Sequence, residues 1–273
     1  MFRQDMTSHS QNDTNRPALQ EKTLGAILDD TIEKYPDNEA VVYIDRDFRL
    51  TYRGFGDIVD QLAKGLMYLG VKKGDKLAIW ATNVPFWVTL QFATARIGAI
   101  MLTINTLYKQ NELAYVLEQS EAEHIAIIDS FRDSDYIQIL YELVPELKTH
   151  TRGEMKSKRF PALRNVFFLG HEKHRGMYSI PEVMALGKMV SQEDYETRKQ
   201  SISPFDVVNM QYTSGTTGFP KGVQLTHYNI GNNGRWIGRH QHFTEKDRIC
   251  LPVPLFHCFG CVLGVLAFLC GMS

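Results

Sequence analysis

The sequence has no excess charge of either sign, no long apolar run and few cysteines. Its 30 lysines and arginines balance 31 aspartates and glutamates, for a net charge of −1. A protein built mainly to coat nucleic acid usually shows a basic excess, so this balance argues against that class. The longest apolar run, residues 258–272, has 15 residues, short of the ~20 that a membrane-spanning helix needs. We therefore expect a buried helix there and no transmembrane segment.

The N-terminus and the cysteines give no sign of secretion. Residues 1–20 are polar and show no apolar core after a basic start, so we interpret them as a disordered arm and not as a secretory signal. Cys258 and Cys261 have half of a zinc-site spacing, but no second Cys or His pair lies at a suitable distance. The sequence therefore predicts buried thiols and a cytoplasmic location. The four cysteines are Cys250, Cys258, Cys261 and Cys270.

What the chain does have is a run of hydroxyl groups and glycines around one lysine, in residues 212–222. Glycines let backbone N–H groups approach a ligand closely, because no Cβ is in the way. Consecutive N–H groups in a turn form a concave anion site, and a lysine adds positive charge. The segment therefore predicts a polyphosphate site. The residues expected to bind the phosphates are Thr213, Ser214, Gly215, Thr216, Thr217, Gly218 and Lys221.

This segment differs from the common P-loop. That motif places Gly-Lys-Ser/Thr directly before a helix, whereas here Phe219 and Pro220 precede Lys221, and Gly222 follows it. Residues 206–212 and 222–227 each have a strand pattern, so we predict a β-hairpin whose tip grips the phosphates. A flexible Gly/Ser/Thr linker is the alternative, but it explains neither the lysine nor the flanking strands.

The 212–222 segment resembles the signature loop of the adenylate-forming enzymes, which include acyl-CoA synthetases, luciferases and peptide-synthetase adenylation domains. Residues 225–229 continue the likeness in the manner of acyl-CoA synthetases. The Pro-Leu-Phe-His run that ends at His257 is similar to the Pro-x-Phe-His segment of fatty acyl-CoA synthetases. Residues 50–52, 74–79 and 105–106 also fit, although Thr106 replaces a proline of the family. The resemblance identifies residues 21–273 as an AMP-binding domain.

The resemblance implies two reaction steps, with ATP, Mg²⁺ and CoA, and it makes residues 213–218 and Lys221 the expected ATP-binding residues. A carboxylate and ATP form an acyl-adenylate and pyrophosphate, and a thiol then takes the acyl group. Lys221 and Thr216 are the expected catalytic residues, and Thr213 is the expected contact to Mg²⁺. His257 is expected to position and line the substrate, since a carboxylate is already ionised at neutral pH and needs no general base. The residues that would border the acyl and adenylate groups are His257, Cys258 and Cys261.

Strand and helix patterns alternate, which predicts an α/β fold with layered, parallel-rich sheets flanked by helices. Ligands of such sheets lie beyond the carboxyl ends of the strands. Thr23 and Thr51 are predicted N-caps of helices. Residues 192–203 are predicted to form an exposed connector. The predicted strands are residues 40–44, 48–50, 77–81, 99–104, 124–128, 166–169 and 248–253, besides the strands at 206–212 and 222–227.

Members of the resembled family continue well past the position of Ser273. We therefore expect a truncated N-terminal AMP-binding domain, without the small C-terminal domain and inactive alone. The implied substrate is a medium- to long-chain fatty acid, or another carboxylate, with CoA as acceptor. An adenylation domain that loads a carrier protein and a non-catalytic nucleotide-binding module are the alternatives. Peripheral membrane contact and a homodimer are compatible with the sequence.

Overall fold

The computed structural model describes residues 18–213 and 219–272. Helices and strands alternate through most of this part of the chain. In chain order they are α1 (Leu24–Lys34), β1 (Glu39–Tyr43), β2 (Phe48–Thr51), α2 (Tyr52–Tyr68), β3 (Lys76–Trp80), α3 (Pro85–Ile97), β4 (Ile100–Thr103), α4 (Gln110–Ser120), β5 (His124–Ile127), β6 (Ser130–Phe131), β7 (Ser134–Asp135), α5 (Tyr136–Leu143), β8 (Asn165–Phe168), β9 (Tyr178–Ser179), α6 (Ile180–Leu186), α7 (Gln192–Gln200), β10 (Val207–Thr213), β11 (Lys221–Thr226), α8 (His227–His240), α9 (Cys258–Gly260) and α10 (Ala267–Met272). A π-helical stretch, Cys261–Leu266, joins α9 to α10.

The central sheet has the strand order β11-β10-β4-β3-β5-β8-β9. Neighbouring strands from β10 through to β9 are parallel, whereas β11 pairs antiparallel with β10. Parallel strands end at the same side of a sheet, so β3, β4 and β10 present their carboxyl ends side by side. We call this side the carboxyl edge, defined by the residues that follow these three strands.

Helices cover both faces of the sheet. On one face, Tyr136 of α5 stacks on Trp80 of β3, with ring centroids 3.5 Å apart. On the opposite face, Cys261 of the π-helical stretch contacts Gln211 of β10. The middle strands are buried along most of their length, which is typical of parallel strands between two helical layers. The predicted α/β fold is confirmed.

The predicted helix starts are confirmed at two caps. The Thr23 hydroxyl accepts the N–H of Ala26 at 3.1 Å and begins α1. The Thr51 hydroxyl accepts the N–H of Gly54 at 3.2 Å and begins α2. In both cases one of the backbone donors left open by the first helical turn is satisfied, which stabilises the helix.

Two predicted elements are wrong. Within residues 192–203 the chain forms helix α7, which Ser191 caps and in which Tyr195 is buried. Acidic residues in the first turn and basic residues in the last complement the helix dipole, so a helix forms despite its low apolar content. Residues 248–253 form no strand in the structure. The carbonyl groups of Leu251 and Val253 bind a side chain instead of a neighbouring strand.

The apolar run at residues 258–272 is helical and packs against α8, as expected of a buried helix. Leu266 and Ala267 are fully buried. Gly238 of α8 permits the close approach, because a Cβ there would lie 2.1 Å from the carbonyl oxygen of Ala267. Among the helices of residues 18–213 and 219–272, none has both the length and the apolar composition needed to cross a bilayer.

The end of the predicted N-terminal arm contacts α8. The Gln20 backbone exchanges two hydrogen bonds with the Asn232 side chain, at 2.8 and 2.9 Å. Arg235 donates to the Ala18 carbonyl at 2.6 Å. Residues 1–17 lie outside the described residues, so the predicted disorder of residues 1–20 and the domain boundary after them stay predictions.

A buried histidine connects α8 to α1. His227 is 0% exposed, and its Nδ1 accepts a hydrogen bond from the Leu24 N–H at 3.0 Å. Burial lowers the pKa of His227 from 6.5 to about 4; Asp206 opposes this change and Lys73 adds to it. The ring is therefore neutral in the folded protein at neutral pH, and its Nδ1 lone pair caps the first turn of α1.

We expect the protein to lose stability as the pH falls from about 6.5 to about 4. In this window the unfolded chain protonates His227 while the folded protein keeps it neutral, so protons favour unfolding. The lowered pKa corresponds to a loss of about 3 kcal/mol in the free energy of unfolding. His227→Asn should flatten this pH dependence in urea unfolding, and His171→Asn at an exposed position controls for the loss of one histidine. Equal pH slopes for wild type and His227→Asn would contradict the assignment.

Candidate functional site

The β10–β11 hairpin brings the first and last predicted phosphate-binding residues together. Thr213 ends β10, Lys221 begins β11, and the two are paired across the ladder. The predicted hairpin is thus confirmed, and each strand lies one residue closer to the tip than expected, so that both residues belong to strands. The other predicted ATP-binding residues lie outside the described residues: Ser214, Gly215, Thr216, Thr217 and Gly218.

Lys221 is an exposed cation at the carboxyl edge. Because β10 is parallel to β4, its last residue, Thr213, lies on the side where β3 and β4 end. Lys221 has no ion-pair partner among residues 18–213 and 219–272. An exposed ammonium group without a carboxylate partner can bind an anion at this edge without first breaking a salt bridge.

The segment before His257 is fixed to the same edge by Asn83. This residue follows β3, and its side-chain amide donates to the carbonyl oxygens of Leu251 (3.3 Å) and Val253 (2.8 Å). Its Oδ1 accepts the N–H of Leu255 at 2.9 Å. A single side chain therefore satisfies three backbone groups of an irregular segment, which explains how this segment keeps its shape without strand partners.

His257 is exposed and caps α9. Its Nδ1 accepts the N–H of Phe259 at 3.1 Å. Because Nδ1 is the acceptor, the neutral ring carries its proton on Nε2. The Nε2–H group is then a hydrogen-bond donor at the carboxyl edge, where it can orient an oxygen atom of a bound ligand.

The two cysteines near His257 have different surroundings. Cys258 is partly exposed, and its Sγ lies 3.8 Å from Nδ1 of His257. Cys261 is fully buried, and its Sγ accepts a hydrogen bond from the Gln211 amide at 3.2 Å. Burial raises the pKa of Cys261 to about 12, so this thiol stays protonated at neutral pH and is a poor nucleophile.

The prediction of four buried thiols is wrong in part. Cys261 and Cys270 are buried, whereas Cys258 is partly exposed and Cys250 is exposed. Cys250 lies in the irregular segment before His257. Because this segment does not pair with a strand, no neighbouring strand among the described residues covers the Cys250 side chain.

The Gln211–Cys261 contact joins the two halves of the predicted site. Gln211 lies two residues before Thr213 on β10, and Cys261 lies four residues after His257. The π-helical stretch that begins at Cys261 widens the helix at this contact, a feature that is common near functional sites. This contact therefore holds the helical segment that follows His257 against the carboxyl-terminal part of β10, the first strand of the hairpin.

The described residues contain no cluster of three His, Cys, Asp or Glu side chains that could hold a metal ion. Mg²⁺ commonly binds through substrate phosphates and one or two protein oxygens, with water completing the shell. The exposed Thr213 hydroxyl at the strand end fits that kind of partial coordination, as one oxygen beside the phosphates of a bound nucleotide.

Comparison with known sequences identifies close relatives. The sequence profile of the family described as AMP-binding enzyme matches residues 28–273. YngI of Bacillus subtilis (strain 168), an acyl-CoA synthetase by name, is 49% identical over 245 residues, which are 90% of this chain and 45% of YngI. The mitochondrial medium-chain acyl-CoA ligase ACSF2 of Bos taurus is 39% identical over 260 residues, which are 92% of this chain and 42% of ACSF2. The chain thus spans less than half the length of either relative.

Solved structures show the same fold. A long-chain-fatty-acid-CoA ligase, FadD1 of Archaeoglobus fulgidus, aligns with a TM-score of 0.74 at 24% identity. The alignment covers 94% of this chain and 47% of the FadD1 chain. MbtA of Mycobacterium smegmatis aligns with a TM-score of 0.75 at 23% identity. This alignment covers 92% of this chain and 43% of the MbtA chain. At these identities the comparison establishes the layered α/β architecture.

Proposed function

The chain belongs to the AMP-binding enzyme family, and from that premise we propose that the full-length protein activates a carboxylic acid with ATP and transfers it to CoA. In the first step a carboxylate oxygen attacks the α-phosphorus of ATP. The bond to pyrophosphate breaks, and an acyl-adenylate forms. In the second step the CoA sulfur attacks the acyl carbon, the thiol proton passes to solvent, and AMP leaves.

One observation carries the proposal: Lys221 and the His257 segment both lie at the carboxyl edge of one sheet. Lys221 is exposed next to Thr213, and Asn83 holds residues 251–255 at the end of β3. A cation for the phosphates and a neutral donor for the acyl-phosphate oxygens are the groups that such a reaction requires. Alignment of the two substrates supplies the rest of the catalysis.

The charge on the departing pyrophosphate is the main target of the site. Lys221 neutralises it, and Thr213 would hold Mg²⁺ together with the phosphates. Mg²⁺ supplies charge neutralisation on the phosphate oxygens when bound. From the sequence, we propose Thr216 as a second catalytic donor and the remaining residues of 214–218 as phosphate ligands; these lie outside the described residues.

His257 orients the acyl-adenylate in this proposal and takes no proton. Its ring already accepts the Phe259 N–H through Nδ1, which leaves Nε2–H to donate to the substrate. Cys258 is proposed to border the acyl group. Cys261 is fully buried, so we propose that it supports the residues bordering the acyl group indirectly, through its hydrogen bond with Gln211.

We propose a medium- to long-chain fatty acid as the substrate. The name of the bovine relative, a medium-chain acyl-CoA ligase at 39% identity, supports this class. The apolar helical segment that follows His257 also supports an apolar acyl group near the adenylate. CoA as the acceptor is supported by the acyl-CoA ligase names of the relatives.

ATP–pyrophosphate exchange with the full-length protein tests the proposal. Labelled pyrophosphate should enter ATP when a fatty acid of medium to long chain is present, and addition of CoA should give the acyl-CoA thioester with AMP. A panel of short, medium, long and aromatic carboxylates locates the preferred substrate. Absence of exchange across this panel would contradict the proposal.

The same assay separates the alternatives. Exchange without thioester formation on CoA, but with acylation of a carrier protein, identifies a carrier-loading adenylation domain. ATP binding without exchange identifies a non-catalytic nucleotide-binding module.

A cytoplasmic location, peripheral membrane contact and homodimerisation complete the proposal. Cell fractionation of the full-length protein tests its location and membrane contact, and analytical sedimentation tests the homodimer.

A further inference from the structure

Helix α4 contacts the hairpin at two places, on β10 next to Thr213 and on the residues just before Lys221. On the β11 side, the Tyr115 hydroxyl donates to the Pro220 carbonyl at 3.2 Å. The Tyr115 ring also stacks on Phe219, with centroids 5.4 Å apart and planes 26° from parallel. On the β10 side, the Tyr212 hydroxyl donates to Gln119. Tyr115 and Gln119 lie four residues apart, so one face of α4 makes all three contacts.

The contacts of Tyr115 are unusual because they hold an exposed part of the chain. Phe219 is 70% exposed, so burial in a core does not fix it, and its stacking on Tyr115 is a specific anchor. Pro220 has a fixed φ angle, so the orientation of its carbonyl determines the direction in which the backbone enters Lys221. A hydrogen bond to that carbonyl therefore fixes the start of β11.

The Lys221 side chain has no ion pair of its own among residues 18–213 and 219–272. Its position therefore depends on its backbone. Two sets of contacts hold this backbone: the ladder to Thr213 and Tyr212 on one side, and Tyr115 through Pro220 on the other. Since Tyr212 is itself bound to Gln119, the reference point for both is α4.

We propose that Tyr115 is a positioning residue for Lys221. It holds residues 219–220 on α4 so that the lysine extends from a fixed backbone toward the phosphates of ATP. This inference rests on the proposed function, because it takes the phosphate contact of Lys221 as its starting point. Tyr115 touches no reacting atom and acts through Lys221.

Kinetics of ATP–pyrophosphate exchange on the full-length protein test the proposal. Tyr115→Ala removes both the ring and the hydroxyl and should lower kcat/KM for ATP about 10-fold, because small displacements of a catalytic group cost this much or more. Tyr115→Phe keeps the ring on Phe219 and should lose about 3-fold. The KM for the carboxylate should stay unchanged in both variants.

Tyr141→Ala is the matched control. Tyr141 is also a partly buried tyrosine on a helix, α5, and its hydroxyl donates to a loop carbonyl, that of Arg175, at 3.0 Å. It lies in no part of the proposed site. Tyr141→Ala should keep the wild-type kcat/KM for ATP, and a loss equal to that of Tyr115→Ala would overturn the proposal.

The decisive measurement is a double-mutant cycle with Lys221→Ala. If Tyr115 acts through Lys221, Tyr115→Ala should cause no further loss in the Lys221→Ala background. Losses that multiply would overturn the proposal, since they indicate a general structural effect. Wild-type exchange in both Tyr115 variants, with Lys221→Ala impaired, would refute this inference and leave the proposed function intact. No exchange by the wild-type protein would refute the proposed function itself.

Discussion

Arg96→Ala should lower the free energy of unfolding by about 3 kcal/mol. Arg96 of α3 is 2% exposed and forms ion pairs with Asp29 of α1 and Asp60 of α2. Tyr195 of α7 also donates to Asp60. The guanidinium thus joins four helices on one side of the sheet, and its removal leaves two carboxylates without their shared cation.

The magnitude follows from the exposure of the partners. Loss of one member of a buried ion pair typically costs about 3–5 kcal/mol. The Asp29 and Asp60 side chains are 44% and 35% exposed, so both can regain water, and the lower end of that range applies. The aliphatic stem of Arg96 also packs closely, because a Cβ on Gly25 would lie 3.1 Å from its Cγ, and alanine would lose that packing.

Urea unfolding of matched variants measures this effect. Arg96→Lys keeps the charge, but lysine lacks the planar guanidinium fork that binds two carboxylates at once. This variant should therefore lose part of the stability. Arg159→Ala is the control, because Arg159 pairs with Glu118 at 2.7 Å with both side chains about half exposed. Such a surface pair contributes about 0–1 kcal/mol. Equal losses for Arg96→Ala and Arg159→Ala would show that the buried network contributes little.

The sequence predicts the fold well where local patterns carry the information. Alternating strands and helices gave the parallel sheet, and Thr23 and Thr51 marked two helix starts, because an N-cap needs its hydroxyl next to its own helix. Helix α7 shows the opposite case. Its charged surface is polar enough to suggest a loop, and its stability depends on Tyr195, which is buried through contacts with residues far away in the sequence.

The site shows the same division. Thr213 and Lys221 were predicted from a local motif, and the structure pairs them directly. Asn83 was missed, because an asparagine after a strand carries no signal that it will bind a segment 168 to 172 residues later. Tyr115 was missed for the same reason. Positioning residues act through tertiary contacts. Sequence patterns therefore reveal a residue that is positioned, such as Lys221, more readily than the residue that positions it, such as Tyr115.

Lys221→Ala should lower the rate of ATP–pyrophosphate exchange about 10²- to 10³-fold in the full-length protein. This is the usual cost, about 3 kcal/mol, of removing one preorganised group that stabilises charge in a transition state. Lys221 is exposed and has no ion pair among residues 18–213 and 219–272, so its removal should leave the free energy of unfolding unchanged. Lys221→Arg keeps a positive charge with a different shape, and we expect an intermediate loss.

Lys72→Ala provides the comparison that separates a local role from a general charge effect. Lys72 is also exposed, but it precedes β3 and so lies at the opposite edge of the sheet from the hairpin tip. Both variants remove one positive charge from the protein, so a long-range electrostatic effect would slow them alike, and more strongly at low salt. A loss confined to Lys221→Ala, and retained at high salt, is the result expected if the ammonium group contacts the phosphates. Wild-type exchange by Lys221→Ala would remove Lys221 from the catalytic site and, with it, the central contact of the proposed mechanism.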